Sequence, residues 1–531
     1  MHDSFNILIA TLVGLGSIAV LLAVRKTFRP KSEAQKYPLP PGPKPLPLLG
    51  NLRDLPKPGQ REWEHWTRFQ EEYGPIASLN VLGNIIIILN DAKLAVELLD
   101  KRANLHSSRP KMVFSEELCG WSNLMIFQSP SQLRASRKQF HSIVGTQSAL
   151  SRFSELQEIE TDRFLLRVLE SPDDLLQHVR TEAGAIILKV AYGYSIIPRG
   201  PDPMVAQVNE VMEQFSLATA AGAWLVDVIP ALKYLPDWFP GTQFKKTARK
   251  WKACLVEMAE RPVRFVKQQM AQQSYEPSFV SNVYDRAEMK MSAEEEHITK
   301  YTAASMYAGG ADTSVSSMQT FFLAMMLHPE VQQKAREEIE QVIGSERLPS
   351  LADRPHLPYI EAVVQEVFRW HAIAPLGLPH ATIADDVCNG YLIPKGATLM
   401  ANIWWFTHDP QTYSNPSTFH PERFLGSNPE KDPRDYIFGF GRRVCPGKLL
   451  ADSSVWLTVA KSLAALEIRK PVNQNGKEIE VEAKFDPGTI SHPAPFKARI
   501  IPRSEKYVEL IKDIERTHPW DSSHAEALKD L

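Results

Sequence analysis

The sequence predicts a mainly α fold with small β-sheets, preceded by a single N-terminal transmembrane helix. Three observations carry this prediction. From Ser292 to His328 a helical pattern runs unbroken, opened by the capping pair Ser292 and Glu295 and stopped by Pro329. Residues 76–90, IASLNVLGNIIIILN, and 390–403, GYLIPKGATLMANI, read instead as short strands. Residues 5–24, FNILIATLVGLGSIAVLLAV, are uncharged and mostly apolar, and as a helix would reach ~30 Å, enough to span a bilayer core.

A cleaved signal peptide would carry its positive charge before the apolar run. Here Arg25, Lys26, Arg29, Lys31 and Lys36 follow it, which predicts an uncleaved anchor with the bulk of the protein on the cytosolic side. YPLPPGPKPLPLLGN, residues 37–51, cannot be helical and reads as a stiff spacer, with a proline-rich adaptor ligand as the competing view. Beyond residue 51 there is no internal repeat, low-complexity tract or second linker. The division predicted is therefore an anchor with its basic flank (1–36), a proline-rich hinge (37–51) and one large domain (52–531).

Within that domain a strand pair turns around Gly83, and the helix of about 35 residues ending at His328 follows. A helix opens on Pro329 and ends at Gly344, and another begins near Pro358 and stops before Pro375. Residues 375–445 are rich in Pro, Gly and Asn, and KLLADSSVWLTVAKSLAAL begins a further helix at Gly447 and Lys448.

A composition of 44% hydrophobic and 23% charged residues is ordinary for a folded protein. The formal net charge of -2 gives no reason to expect a nucleic-acid partner, and no zinc-finger or RNA-binding signature suggests one. The four cysteines, Cys119, Cys254, Cys388 and Cys445, form no CxxC. That excludes a zinc ribbon and covalent c-type haem, and it makes a disulfide framework improbable.

Cys445 lies in FGFGRRVCPGK, residues 438–448. It reads either as a small buried hydrophobe or as a thiolate favoured by Arg442, Arg443 and a helix N-terminus, with glycines at 439, 441 and 447 allowing a flat partner to approach. GFGRRV lacks the third glycine of a dinucleotide fingerprint. In the long helix, Gly309 and Gly310 each cost roughly 0.8–1 kcal/mol against alanine, so the pair implies close approach or a distortion beside Asp312, Thr313 and Ser314. The bland alternative for Thr313 is a bond back to the carbonyl one turn earlier. Glu366 and Arg369 can pair on a helix face, but Glu160 and Arg163 share that spacing.

Phe438, Gly441, Arg443, Cys445 and Gly447 match FxxGxRxCxG, and the stretch resembles the haem-ligating loop of the cytochromes P450. AGGADTS, EVFR and PERF precede it in the family's order, so the resemblance covers nearly the entire chain. RWHAIAPLGLPH (369–380) and LKYLPDWFPG (232–241) look most like membrane-anchored fungal members of secondary metabolism or detoxification.

The resemblance implies haem b, with Cys445 as the thiolate ligand to iron, Phe438 packing nearby, and Arg443, Arg137 and His380 reaching the haem propionates. Asp312 and Thr313 match the family's proton-delivering acid and alcohol beside a groove at Gly309 and Gly310. Glu366, Arg369 and Arg423 would form a structural network. The family commonly has WxxxR where this chain has LRASR, so Leu133 cannot donate the usual indole hydrogen bond.

The implied activity is hydroxylation or epoxidation of a lipophilic small molecule with dioxygen. Electrons would come from NADPH through NADPH–cytochrome P450 reductase, with cytochrome b5 as an optional second partner, at the endoplasmic reticulum membrane. Arg134, Arg137, Lys138, Arg434, Arg442, Arg443 and Lys448 offer a basic face for an acidic donor. Substrate contacts are expected in 116–127, 219–230, 372–377 and 487–491, and Trp224, Trp238 and Phe239 read as either membrane-dipping or core aromatics. A thiolate-haem isomerase or dehydratase and a non-catalytic haem protein are the alternative classes. The former would need no external electrons, and the latter would not need AGGADTS.

Overall fold

The structure is a computed structural model describing residues 33–531 apart from 58 and 221. The predicted anchor at 5–24 lies outside the described residues. Among the described residues no helix is long and apolar enough to cross a membrane.

The proline-rich segment does not stand free of the body. The Ser78 hydroxyl donates to the Pro40 carbonyl at 2.6 Å, the Ser78 amide to Pro41 at 2.8 Å, and the Leu392 amide to Pro38 at 2.7 Å. A Cβ at Gly42 would sit 1.9 Å from the Ser78 carbonyl oxygen, so only glycine lets the segment lie this close.

After α1 (Glu62–Tyr73), strands β1 (Ile76–Val81) and β2 (Asn84–Leu89) form an antiparallel hairpin. Leu82 and Gly83 both take positive φ, 49° and 90°, the backbone of a two-residue turn matched to strand twist. β2 pairs parallel with β6 (Thr398–Ala401), and β6 pairs antiparallel with β3 (His380–Ala381). The register sets His380 opposite Leu399, which fixes where the His380 ring projects. Strands β4 (Asp386–Cys388) and β5 (Tyr391–Ile393), and β7 (Leu466–Arg469) and β8 (Arg499–Pro502), make two further two-stranded sheets.

Helices α2 (Pro130–Val144), α3 (Ser154–Glu170), α4 (Leu175–Tyr192), α5 (Pro203–Thr219), α6 (Gln243–Ala271) and α7 (Phe279–Arg286) precede α8 (Ala293–Leu327). α8 is the long helix read from the sequence, 35 residues with both halves of the Ser292–Glu295 capping box formed. It is buried on every face from Ser314 to Met326, as a helix crossing a domain centre must be. Its Ala303–Ala311 stretch belongs to one hydrophobic cluster and its Val315–Met326 stretch to another. Asp312, Thr313 and Ser314 therefore sit at the seam between two cores.

α9 (Pro329–Val342), α10 (Pro358–Trp370), α11 (Lys448–Ala465) and α12 (Glu505–Thr517) complete the main helices. The proline starts of α9 and α10 are as the sequence predicts.

Glu366 and Arg369 of α10 are fully buried and bidentate, Arg369 Nε and Nη2 donating to the two carboxylate oxygens at 2.7 and 2.8 Å. Arg423 Nε joins at 3.1 Å, and its Nη1 continues to Glu430 at 2.6 Å. Remaining donors of Arg369 go to the carbonyls of Thr407, Pro416 and Thr418. This knot ties α10 to the irregular 402–430 segment. Glu160 and Arg163, the chance match, also form a buried pair at 2.6 Å.

Candidate functional site

Cys445 stands two residues ahead of Gly447, the N-cap of α11. Its amide donates to the Phe438 carbonyl at 2.7 Å, closing the loop, and Phe438 packs edge-on against Phe368 of α10. Gly441 has φ 51°, and a Cβ there would meet the Leu99 carbonyl oxygen at 2.4 Å. Its role is close approach to the 99–103 segment of this chain. Gly447 has room for a Cβ, with Phe140 3.8 Å away, and Gly439 takes φ 76°.

The charges around the thiol differ from the sequence expectation. Burial pushes the Cys445 thiol up, while the Gly447 amide, Arg137 and Lys448 pull it down without reversing that shift. Arg443 points elsewhere, donating to the carbonyls of Ser107, Met125 and Gln128 at 2.9, 3.1 and 2.8 Å. Coordination by a metal cation deprotonates a thiol outright.

Arg137 of α2 donates to the Val444 carbonyl at 2.8 Å, and a cavity of about 160 Å³ opens between α2 and the loop, lined by Arg137, His141, Val444, Cys445, Pro446 and Leu449. Burial lowers the Arg137 pKa, and the sulfur opposes that shift. Leu133, one turn earlier, is buried and apolar.

Arg109 was not singled out in the sequence. It donates to the carbonyls of Ile126, Leu378 and Pro379 at 2.9, 2.7 and 2.8 Å. Burial and then Arg443 push its pKa down to about 9, and burial and then Arg137 push Arg443 down to about 10. His380 donates Nδ1–H to the His106 carbonyl at 2.7 Å, and burial and then Arg109 lower it to about 3. Neither arginine is ion-paired with a described carboxylate. Backbone carbonyls rather than carboxylates face this cationic cluster, with Glu116 the only described acid acting on both arginines, and a ligand bearing carboxylates would neutralise it.

Gly309 is exposed in the middle of α8 although Ala308 and Ala311 are buried, and a Cβ there would meet nothing within 4 Å. Gly310 does a different job. A Cβ on it would reach Ile187 of α4 at 2.8 Å, so its small size serves helix packing. Thr313 donates its hydroxyl to the Gly309 carbonyl at 2.7 Å, which is the bland alternative, and α8 is helical throughout. Buried Asp312 lies 3.1 Å from His492 Nε2 and 3.9 Å from Arg180 Nη1.

Of the expected basic face, Arg434 is spent on Glu361, Asp432 and Asp452, and Arg137 and Arg443 turn to backbone carbonyls. Arg134, Lys138, Arg442 and Lys448 are exposed. Trp224 is a packing residue, stacked on buried Phe114 at 3.5 Å, whereas Trp238 is 81% exposed.

The donor set fits a flat metal complex with acidic side arms: the Cys445 sulfur, partly buried guanidiniums without ion-paired carboxylates, and open space over Gly309. The profile of the family described as Cytochrome P450 matches residues 40–498. Cytochrome P450 monooxygenase claR of Ampulloclitocybe clavipes is 45% identical over 98% of this chain and 96% of its own length. Cytochrome P450 monooxygenase ppsD of Aspergillus oryzae is 46% identical over 93% and 94%. The O-methylsterigmatocystin oxidoreductase of Aspergillus flavus is 41% identical over 99% and 98%. With this coverage and the site geometry together, the chain belongs to the cytochrome P450 family and is a haem-dependent oxidoreductase.

Proposed function

We propose that the protein is a membrane-anchored monooxygenase of fungal secondary metabolism or detoxification, hydroxylating or epoxidising a lipophilic small molecule. Cys445 would supply the thiolate to haem b, and Arg109, Arg137 and Arg443 would receive the propionates; His380, whose Nδ1–H goes to the His106 carbonyl, would offer a carboxylate a donor only with Nε2 protonated. The observation that carries this reading is the cluster of partly buried arginines, Arg109, Arg137 and Arg443, whose side chains donate to backbone carbonyls and make no ion pair with a described carboxylate. Bound thiolate-ligated haem supplies dioxygen activation, the sulfur pushing electron density toward iron.

The chain's own residues do the rest. The loop from Phe438 to Gly447 holds the sulfur at a helix N-terminus, where the Gly447 amide stabilises negative charge. Asp312 is the group that gives and recovers protons at its carboxylate, and Thr313 orders them through a hydroxyl held against Gly309. Apolar walls support a lipophilic substrate. Ile126, Trp224, Leu378 and Ile490 all pack on one cluster, and Thr489 meets Thr219 hydroxyl to hydroxyl at 2.9 Å where α5 ends.

Arg134, Lys138, Arg442 and Lys448 form the docking face for NADPH–cytochrome P450 reductase, with cytochrome b5 as an alternative donor. Residues 1–36 anchor the chain in the endoplasmic reticulum with the catalytic domain in the cytosol. Expression in a host with and without this gene, followed by metabolite comparison with NADPH and reductase, tests the reading. An oxygenated product that requires NADPH supports it. Intact haem with product formed in the absence of NADPH would instead mark an isomerase or dehydratase.

A further inference from the structure

The loop of residues 487–492 touches α8 at the acid. Ser316 donates its hydroxyl to the Ser491 carbonyl at 2.6 Å, and the Ser491 amide donates to Ile373 at 2.8 Å. The Ser491 hydroxyl donates to Asp486 at 2.7 Å and lies 2.9 Å from His371 Nε2. These bonds fix the backbone beside His492 and aim its ring at Asp312.

His492 Nε2 stands 3.1 Å from Asp312 Oδ1. A carboxylate only accepts, so Nε2 carries the hydrogen. The other ring nitrogen, Nδ1, is buried with no partner among the described residues. A histidine kept for packing alone would be poorly chosen, because an orphaned polar atom is a cost an apolar side chain avoids. Arg180, the second cation near Asp312, is farther at 3.9 Å and partly exposed. Both contacts fall on Oδ1, which leaves Oδ2 as the oxygen available to accept or return a proton.

We infer that His492 is a positioning residue: it holds the Asp312 carboxylate by Oδ1 so that Oδ2 faces the site, and it ties the acid to the same loop whose Thr489 meets α5. This rests on the monooxygenase reading above. The structural role needs a donor at the Nε2 position and no proton exchange by the ring, so glutamine can replace histidine and leucine cannot.

The test uses the full-length haem-loaded protein with NADPH–cytochrome P450 reductase in phosphatidylcholine vesicles, reading hydrogen peroxide released per NADPH consumed. His492→Leu is expected to raise that ratio at least threefold, and His492→Gln to stay within twofold of the parent. Leucine without effect, or glutamine as damaging as leucine, overturns the inference.

A second readout needs no turnover. Asp312→Ala, which removes the acceptor, and His492→Leu should each lower the melting temperature, and the double variant should fall short of the sum of the two single losses, because the two share one interaction. Additive losses overturn the pairing. A parent protein that consumes no NADPH overturns the monooxygenase reading and the positioning role with it, while the thermal cycle still reports separately on the contact.

Discussion

Arg369 grips both carboxylate oxygens of Glu366, at 2.7 and 2.8 Å, with neither side chain reaching solvent. Removing one partner of such a pair strands a buried charge, a loss of about 3–5 kcal/mol. Glu366→Ala is therefore expected to lower the denaturation midpoint strongly or to abolish soluble haem-loaded protein, as chemical denaturation would read. A variant as stable as the parent would contradict the network's role.

The two adjacent glycines of α8 should respond oppositely. Gly309→Ala meets no atom within 4 Å and gains helix propensity, about 1 kcal/mol of stability in the haem-free chain. Gly310→Ala drives a Cβ to 2.8 Å from Ile187, an overpacking cost of about 1–3 kcal/mol. Thermal melts of the two variants check the signs.

Arg109 is expected to matter for haem retention as much as Arg443. Loss of a charged hydrogen-bond donor costs about 1.5–3 kcal/mol, so Arg109→Leu should speed haem transfer to an apoprotein acceptor roughly 10- to 100-fold. Release at the parent rate would show that the arginine serves the backbone carbonyls alone.

Acid should destabilise the fold through histidines buried in their neutral form. His408 is held at about 3 by burial and by Arg369, and burial and His408 push His371 well below its ordinary value. Unfolded histidine takes a proton near pH 6.5 while the folded ring does not. Stability is thus fully present above that pH and falls as pH drops toward 3, by about 1.4 kcal/mol per pH unit for each ring. Melting temperature against pH should be flatter below 6.5 for His408→Gln than for the parent.

What was legible in the sequence was whatever local rules specify. The Ser292–Glu295 cap, the proline starts of α9 and α10, and the strand pair turning at Gly83 all depend on neighbours a few residues away, and each formed as read. Spacing gives reach, however, and says nothing of burial. Glu366–Arg369 and Glu160–Arg163 look alike as exposed helix pairs, and both are buried. Arg109 carried no signal, since its acceptors are carbonyls at 126, 378 and 379 that only the fold brings together. Arg443 misled for the same reason: two residues from Cys445 in sequence, it turns to carbonyls at 107, 125 and 128 and leaves the sulfur to Arg137 and Lys448. His492 reaches Asp312 across 180 positions, beyond any local pattern.

The central claim is that Cys445 ligates haem iron as a thiolate, and carbon monoxide added to the reduced protein tests it most directly. The account predicts the strongly red-shifted Soret band of thiolate ligation in the parent, and its absence in Cys445→His protein that still carries haem. A Cys445→His variant that keeps that band would contradict the assignment.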